Sequence, residues 1–475
     1  MRGFPSLLAI VSLHGALLTT ASAYQWPNPR YEALERFLFE GTDINDKALT
    51  AITNSCAKRA GSGSPVAAEW LRIAYHDSAT YNITDGTGGL DASVYYELTR
   101  TENIGGGMAT STADFQASSN KYVSRSDLIA LGTVWGVVSC GGPLIPFRPG
   151  RIDATAAGRY GVPQPQEVLS LATERFRLQG FNQSEMISLV ACGHTLGGVR
   201  NTDFPSIVQI PGPTVVLKEF DGTDAFDSAG VAQYLNWTTQ NPLITIRNTL
   251  YQNDLRIFQS DGNATMKSMN SDTAFNAVCA GLLERMINLV PNGVQLSDEI
   301  ALIPFKVTQA QFNVQNGQLV FDVLIRAAVT AADQTSNQAV KSITMFWCDA
   351  RGANAGCPGN TALSSSISHP TQFNDVLVSP VSKSLQTSFV EFELTVPIDA
   401  TRGVGRFWFN SFSSPAARVI QDNGGAGYSL DDAVIFLPNL GAARGSGSVV
   451  FDVVVGVRYV FLFKYIHANL MDARS

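Results

Sequence analysis

Over roughly the first 300 residues, apolar positions recur every three to four places, the spacing of an amphipathic helix. The pattern predicts helices over 65–78, 126–138, 166–178, 185–196 and 273–289. Pro65 suits a first helical position, which needs no N–H, and Ser64 before it is the expected N-cap. Loops rich in glycine and proline separate the helices, as in GGGM after Ile104 and CGGPLIPFRPG from Cys140. From about Ile303 the texture changes to alternation. Phe312-Asn313-Val314, the pair Asn316-Gly317 and the run 319–325 predict a hairpin on a type I′ turn. Further alternating runs at 342–347, 389–396, 406–412 and 433–437, broken by Gly, Ser and Pro, predict a small all-β sandwich. The expected fold is a mainly α unit followed by a smaller all-β, sandwich-like one, with the boundary between 296 and 303. In the tail, GAARGSGS (441–448) has the composition of a linker. Asp452, Arg458 and Lys464 break the apolar run after it, which argues for a last strand rather than a transmembrane helix. Whether 441–475 belongs to the β unit is left open.

The 475 residues suffice for two domains, and 45% hydrophobic with 15% charged residues describe an ordinary globular chain. A net charge of −7 argues against nucleic acid as a partner. Arg2, an apolar run over 7–18 and Ala21-Ser22-Ala23 follow the order of a secretory signal, with the cut expected before Tyr24 and a secreted, extracellular protein as the consequence. Six cysteines then have an oxidising compartment in which to pair. Sequons start at Asn82, Asn182, Asn236 and Asn263, and about half of them are expected to carry sugar. The expected organisation is a leader over 1–23, a helical domain over 24–300, a β-rich domain over 303–440 and the tail.

Two strings carry the candidate chemistry. In LRIAYHD (71–77), Arg72 and His76 stand four apart and share one face of the predicted helix. In ACGHTLGG (191–198), His194 sits in an apolar segment that ends at a glycine pair. Beyond the leader the chain has four histidines, and these two are the only ones before residue 369. A lone histidine in an apolar helix is more often a satisfied core residue than a ligand. An arginine and a histidine on one helix, with a lone histidine on another, suit a haem iron between them. On these strings the chain resembles the haem peroxidase superfamily of plants, fungi and bacteria, in particular its secreted fungal members. The resemblance runs in family order over about residues 45–300.

Peroxide must lose a proton from one oxygen and gain it on the other before its O–O bond breaks, which a neutral histidine can manage. A fixed cation stabilises the charge on the departing oxygen. The resemblance assigns these tasks to His76 and Arg72, with haem b as cofactor. It gives His76 an acceptor in Asn103, which follows Glu97 by six residues, and makes His194 the proximal iron ligand. The carboxylate that takes the second N–H of such a ligand lies in a Ser-Asp dipeptide in the family, matched here by Asp261 in LRIFQSDGNA. Two calcium ions are also implied. Asp77, the Gly89 carbonyl, Asp91 and Ser93 match the distal site, and Thr195, Asp221, Thr223 and Asp227 match the proximal one. Asp127 and Arg151 match a structural ion pair, and Pro163 and Pro165 match the prolines bordering the haem access channel. Fungal members join the regions of Cys56 and Cys140 by a disulfide. Cys348 and Cys357 are expected to close a loop in the β domain, while pairing of the remaining Cys192 and Cys279 is not set by sequence.

The chain also departs from specialised members. Manganese-oxidising members carry three carboxylates where this chain has Pro65, Glu69 and Arg200, so no such site is expected and Glu69 reads as a solvated helix residue. Lignin-oxidising members carry a surface tryptophan at the place of Leu189, which leaves Trp135 or a surface tyrosine for long-range electron transfer. Tyr75 beside His76 reads as a packing aromatic rather than a radical site. The leading expectation is a secreted, monomeric peroxidase that reduces hydrogen peroxide and oxidises phenols or other small aromatic donors in one-electron steps. The alternative is a non-enzymatic, haem-bearing wall protein whose β domain binds polysaccharide, with Trp408 as a sugar platform; intact Arg72, His76 and Asn103 argue against it. Zinc between the two histidines fails on ligand count.

Overall fold

A computed structural model describes residues 24–471 apart from 337, 368–377, 437–441, 445–449 and 460–461; the expected leader lies outside the described residues. The first part is helical: α1 (Pro29–Glu40), α2 (Val66–Ser78), α3 (Gly106–Gln116), α4 (Arg125–Ser139), α5 (Leu169–Leu178), α6 (Gln183–Gly193), α7 (Ala229–Leu235), α8 (Pro242–Thr245), α9 (Asn253–Phe258), α10 (Ala264–Ser268) and α11 (Asp272–Ile287). A short antiparallel pair, β1 (Gly198–Arg200) and β2 (Leu217–Glu219), follows α6. No described helix is long and apolar enough to cross a membrane.

Several helix ends differ from the sequence expectation by one to three residues, and two of them border the site. Pro65 is itself the N-cap of α2, with ψ of 130°, and Ser64 makes no capping bond. The apolar period runs on to Leu196, yet α6 stops at Gly193 and leaves His194 as its C-cap. The other end of α6 is closed by a capping box between Asn182 and Glu185. Helix α2 lies against α4, where Gly136 permits the approach: a Cβ there would stand 3.2 Å from the Ala67 Cα. Fully buried Asp127 and Arg151 pair at 3.0 Å, and Arg151 also donates to the Ile287 carbonyl, which ties α4 to the end of α11.

The second part is built from antiparallel sheets. Strands β3 (Phe305–Gln315) and β4 (Gln318–Thr330) form the expected hairpin, and Asn316 and Gly317 both have positive φ, as a type I′ turn requires. The hairpin is longer than the sequence reading because β3 continues past a bulge to Phe305. β7 (Thr387–Pro397) pairs with β4 to complete one sheet. The second sheet contains β5 (Ser342–Cys348), β6 (Leu363–Ile367), β8 (Arg406–Ser414), β9 (Ala417–Gln421) and β10 (Tyr428–Ser429), in the order β10-β8-β5-β6 with β9 also on β8. The inner faces share one core, with Phe321 against Phe407 at 5.4 Å. A further sheet holds β11 (Val434–Phe436), β12 (Ala442–Arg444), β13 (Val450–Tyr459) and β14 (Leu462–Met471), so the tail forms a hairpin where one strand was expected.

The β part docks on α1 through buried charges. The Glu35 carboxylate accepts from Arg326 at 2.7 Å and from Lys306 at 2.8 Å, and Arg326 also reaches Glu40 at 2.6 Å. Burial opposes ionisation of Glu35, but Lys306 and Arg326 hold its pKa below the ordinary carboxylate value. Ser379 and Ser382 donate to the carbonyls of Leu38 and Phe39, which lack helical partners near the end of α1. The Trp26 ring stands edge-on to Tyr428 in the sandwich core.

Candidate active site

Arg72, His76 and Tyr75 project from α2 because their spacing within one helix turns them toward the same cavity. The cavity holds about 1460 Å³ of empty space, counting its open mouth, and His194 borders it as well. Its walls are largely apolar and include Leu189, Leu196, Phe220, Leu243 and Met286. Pro163 and Pro165 lie on its border, as the resemblance implied.

On the α2 side, His76 Nδ1 is 2.7 Å from Asn103 Oδ1. The Asn103 amide donates to the Glu97 carbonyl at 3.2 Å and to its carboxylate at 3.4 Å, so its oxygen must face the histidine. His76 therefore donates from Nδ1, and Nε2 is left as a free acceptor. Burial, then the Arg72 charge, lowers the pKa of His76 to about 3 against the opposing Asn103 bond. Arg72 donates to the Ile104 carbonyl at 2.8 Å; burial lowers its pKa to about 10, so it remains a cation at neutral pH. Gly105, at φ of 122°, leaves room beside it, since a Cβ there would lie 3.1 Å from Arg72 Nη1. Tyr75 stacks on Phe176 at 5.9 Å, and its buried hydroxyl has no hydrogen-bond partner.

On the opposite side, His194 Nδ1 is 2.8 Å from Asp254 Oδ2, which also accepts from the Asn241 amide at 2.7 Å. The sequence-based choice of Asp261 is thus corrected. Asp254 opens α9 and is fully buried toward the end of α6. Asp261 lies beyond α9 and caps α10, accepting from the backbone N–H groups of Ala264 and Thr265. The dipeptide at the start of α9 is Asn253-Asp254, and burial against the end of α6 separates it from the Ser-Asp string seven residues later. Replacing Asp254 with alanine is expected to weaken haem binding about 10- to 100-fold. Asp261→Ala should leave affinity near the parent value; equal losses in a haem titration would sink the assignment.

Haem fits this cavity on the chain's own evidence. The His194 side chain is 32% exposed although its partner Asp254 is sealed, and its free Nε2 and that of His76 have no other function in a largely apolar space. Phe220 stacks flat on the His194 ring at 4.2 Å and holds its plane.

The two acidic sets would suit hard cations, because burial raises the pKa of a carboxylate in each. Asp77 is fully buried, and burial followed by repulsion from Asp91 pushes its pKa well up. Ser93 donates to Asp77 at 3.4 Å, and the Gly89 carbonyl lies on the same loop, linked through Thr80. In the other set, Asp221 Oδ2 is buried without a partner and burial raises its pKa to about 6. Thr223 donates toward both Asp221 and Asp227, and Thr195 donates to the Asp227 carbonyl at 2.8 Å. No group of three or more His, Cys, Asp or Glu side chains suited to a metal occurs among the described residues, so a hard cation here would need its other ligands from hydroxyls and carbonyls.

Several further expectations resolve here. Glu69 is buried, not solvated: Arg59 donates to it at 2.5 Å and Arg200 also pairs with it. Leu189 and Trp135 are both buried, so Trp135 cannot meet a surface donor. Cys56–Cys140, Cys192–Cys279 and Cys348–Cys357 are all disulfides; the second staples α6, which ends at His194, to α11. Trp408 stacks on Phe346 at 5.8 Å.

Comparison with known proteins agrees with the geometry. The sequence profile of the peroxidase family matches residues 51–278. A WSC domain-containing protein of Arthroderma benhamiae is 36% identical over 338 residues, 70% of this chain and 46% of that protein. That span exceeds the helical part, so the likeness runs into the β part. L-ascorbate peroxidase 5, peroxisomal, of Arabidopsis thaliana is 37% identical over 129 residues, 27% of this chain and 46% of the relative. A mitochondrial cytochrome c peroxidase of Cryptococcus neoformans is 31% identical over 168 residues, 34% and 44% respectively. The chain spans less than half the length of these relatives. With the cavity, its two anchored histidines and a family match over the same helices, residues 51–278 form a domain of the peroxidase type.

Proposed function

We propose that this protein is a secreted haem peroxidase that reduces hydrogen peroxide and oxidises phenols or similar small aromatic donors one electron at a time. The observation that carries the reading is the chain Glu97–Asn103–His76, which leaves Nε2 of a neutral histidine facing the cavity beside Arg72. Bound haem supplies the iron at which peroxide is cleaved. His76 Nε2 takes the proton from one peroxide oxygen and returns it to the other. Arg72 stabilises the charge that develops on the departing oxygen without having to reorganise. His194 would hold the haem iron, and the Asp254 carboxylate orients its ring and would strengthen its donation. Donors approach past Pro163 and Pro165 at the mouth. Ascorbate and cytochrome c in the relatives' names describe those proteins; the apolar, proline-bordered mouth supports a small aromatic donor here.

The test is the absorption spectrum of the secreted, haem-loaded protein. One equivalent of hydrogen peroxide should shift the Soret band, and a phenol should restore it. Haem that ignores peroxide would overturn the reading. The wall-binding alternative gains no support from this site, where Arg72, His76 and Asn103 stand together.

We also propose a calcium ion at each of the two acidic sets. Removing calcium with a chelator should lower the unfolding temperature, and added calcium at about 100 times its Kd should restore about 2.7 kcal/mol per site. A melting temperature indifferent to chelator and calcium would remove both ions from the proposal.

A further inference from the structure

The carboxylate of Asp254 is sealed from water, and its two oxygens have different surroundings. Oδ1 finds no hydrogen-bond partner among the described residues. Oδ2 accepts twice, from His194 Nδ1 at 2.8 Å and from the Asn241 amide at 2.7 Å. Two donors therefore draw on one oxygen while its twin stays bare. The Asn241 amide is not free to turn away. Its own oxygen accepts from the Leu243 N–H at 2.8 Å, as the N-cap of α8, so its NH2 group must face the carboxylate. The backbone of Asn241 is held as well. Its N–H donates to the Thr239 hydroxyl at 3.2 Å, and its carbonyl accepts from the Thr245 hydroxyl at 3.0 Å. Asn241 is only 4% exposed, so water does not compete for the bond to Asp254. Asn241 is not among the residues lining the large cavity, so it can act on a bound haem only through Asp254 and His194.

We propose that Asn241 is a positioning residue that restrains the electron donation of His194, because it donates to the same Asp254 oxygen that His194 uses. The proposal rests on the peroxidase reading above. A carboxylate strengthens a ligating histidine by drawing its Nδ1 proton outward, which leaves more negative charge on the ring. That pull depends on the charge density at the accepting oxygen. The Asn241 N–H takes up part of this density, since a hydrogen bond to an ionised acceptor is a strong one. His194 then keeps more of its proton, carries less negative charge and stabilises ferric iron less. The site is consequently more strongly oxidising than the same histidine and carboxylate would be alone. Of the two carboxylate oxygens, the bare Oδ1 would have left His194 undisturbed as a docking point for the amide; the fold instead aims Asn241 at Oδ2.

The test uses the full, haem-loaded chain and two readouts: the reduction potential, from spectroelectrochemical titration, and the iron–histidine stretching band of the ferrous protein, from resonance Raman spectra. Asn241→Ser keeps a hydroxyl to cap α8 but is too short to reach Asp254. It should lower the equilibrium constant for reduction of the ferric protein by about three- to tenfold and move the stretching band to higher frequency. Asn241→Thr caps α8 equally well and repeats the measurement should the serine variant fold poorly. Thr245→Ala loosens α8 without touching the amide, so both readouts should stay at the parent value. In an Asp254→Ala background at saturating haem, adding Asn241→Ser should change neither readout, because the shared oxygen is gone. Unmoved readouts in Asn241→Ser would overturn the restraint. So would an equal shift in Thr245→Ala, or a shift that persists without Asp254. A parent protein that shows no iron–histidine band would overturn the peroxidase reading instead, so the two failures are distinct.

Discussion

Replacing His76 with alanine is expected to slow the reaction with hydrogen peroxide by about 100- to 10,000-fold, the usual contribution of a positioned acid–base group. Haem should still bind, because His194 and Asp254 lie on the other side of the cavity. Rapid-mixing absorbance at neutral pH reads the rate directly, and a variant that reacts as fast as the parent would remove His76 from the mechanism. Asn103→Ala should slow the same step less, since it releases Nδ1 without deleting the base. The pH profile follows from the low pKa, about 3, of the buried imidazole. A base must be neutral to accept a proton, so the rate should hold as pH falls and drop only when His76 protonates. Stability depends on the same proton with a different window. The unfolded chain binds it near the ordinary histidine pKa of about 6.5, above the folded value. The contribution of this group is therefore present above that pH and is lost progressively as pH falls toward 3.

Replacing Arg326 with methionine is expected to destabilise the protein by about 3–5 kcal/mol, the usual result of removing one partner from a buried ionic group. Arg326 is completely buried and bonds Glu35, Glu40 and the Ile303 carbonyl, while its guanidinium lies 4.5 Å from the Phe389 ring centre. Without it, Glu35 keeps only Lys306 and the Ile303 N–H against its burial, and Glu40 loses its closest cation. Denaturant unfolding followed by tryptophan fluorescence measures the loss. Because the cost comes from a stranded charge, Glu35→Leu added to Arg326→Met should recover part of it. A loss below about 1 kcal/mol for the single variant would mean that water reaches the network and screens it.

Much of the fold was legible because its signals are local. The three-to-four apolar period marked α2, α4, α5, α6 and α11, and the change to alternation marked the β part. Asn316-Gly317 specified its turn because both residues tolerate positive φ. Arg72 and His76 share a face through helix geometry alone, so their common cavity followed from a spacing of four. Boundaries were less legible. Proline at the start of α2 and glycine at the end of α6 act through backbone geometry that apolar periodicity does not contain.

What sequence by itself determined is therefore the longer helices, the change to strands and the pairing of Arg72 with His76 on one helix face, since these depend on neighbours within a few positions. Only the tertiary structure decided which partners meet across long separations. Asp254 rather than Asp261 reaches His194, because the turn of α9 buries one carboxylate and leaves the other to cap α10. Glu69 is withdrawn from solvent by Arg59 and Arg200, one of them 131 residues away. The Glu35–Arg326 network joins residues 291 apart. These contacts arise from packing of distant surfaces and from the cost of burying a charge alone, neither of which leaves a periodic mark on the chain.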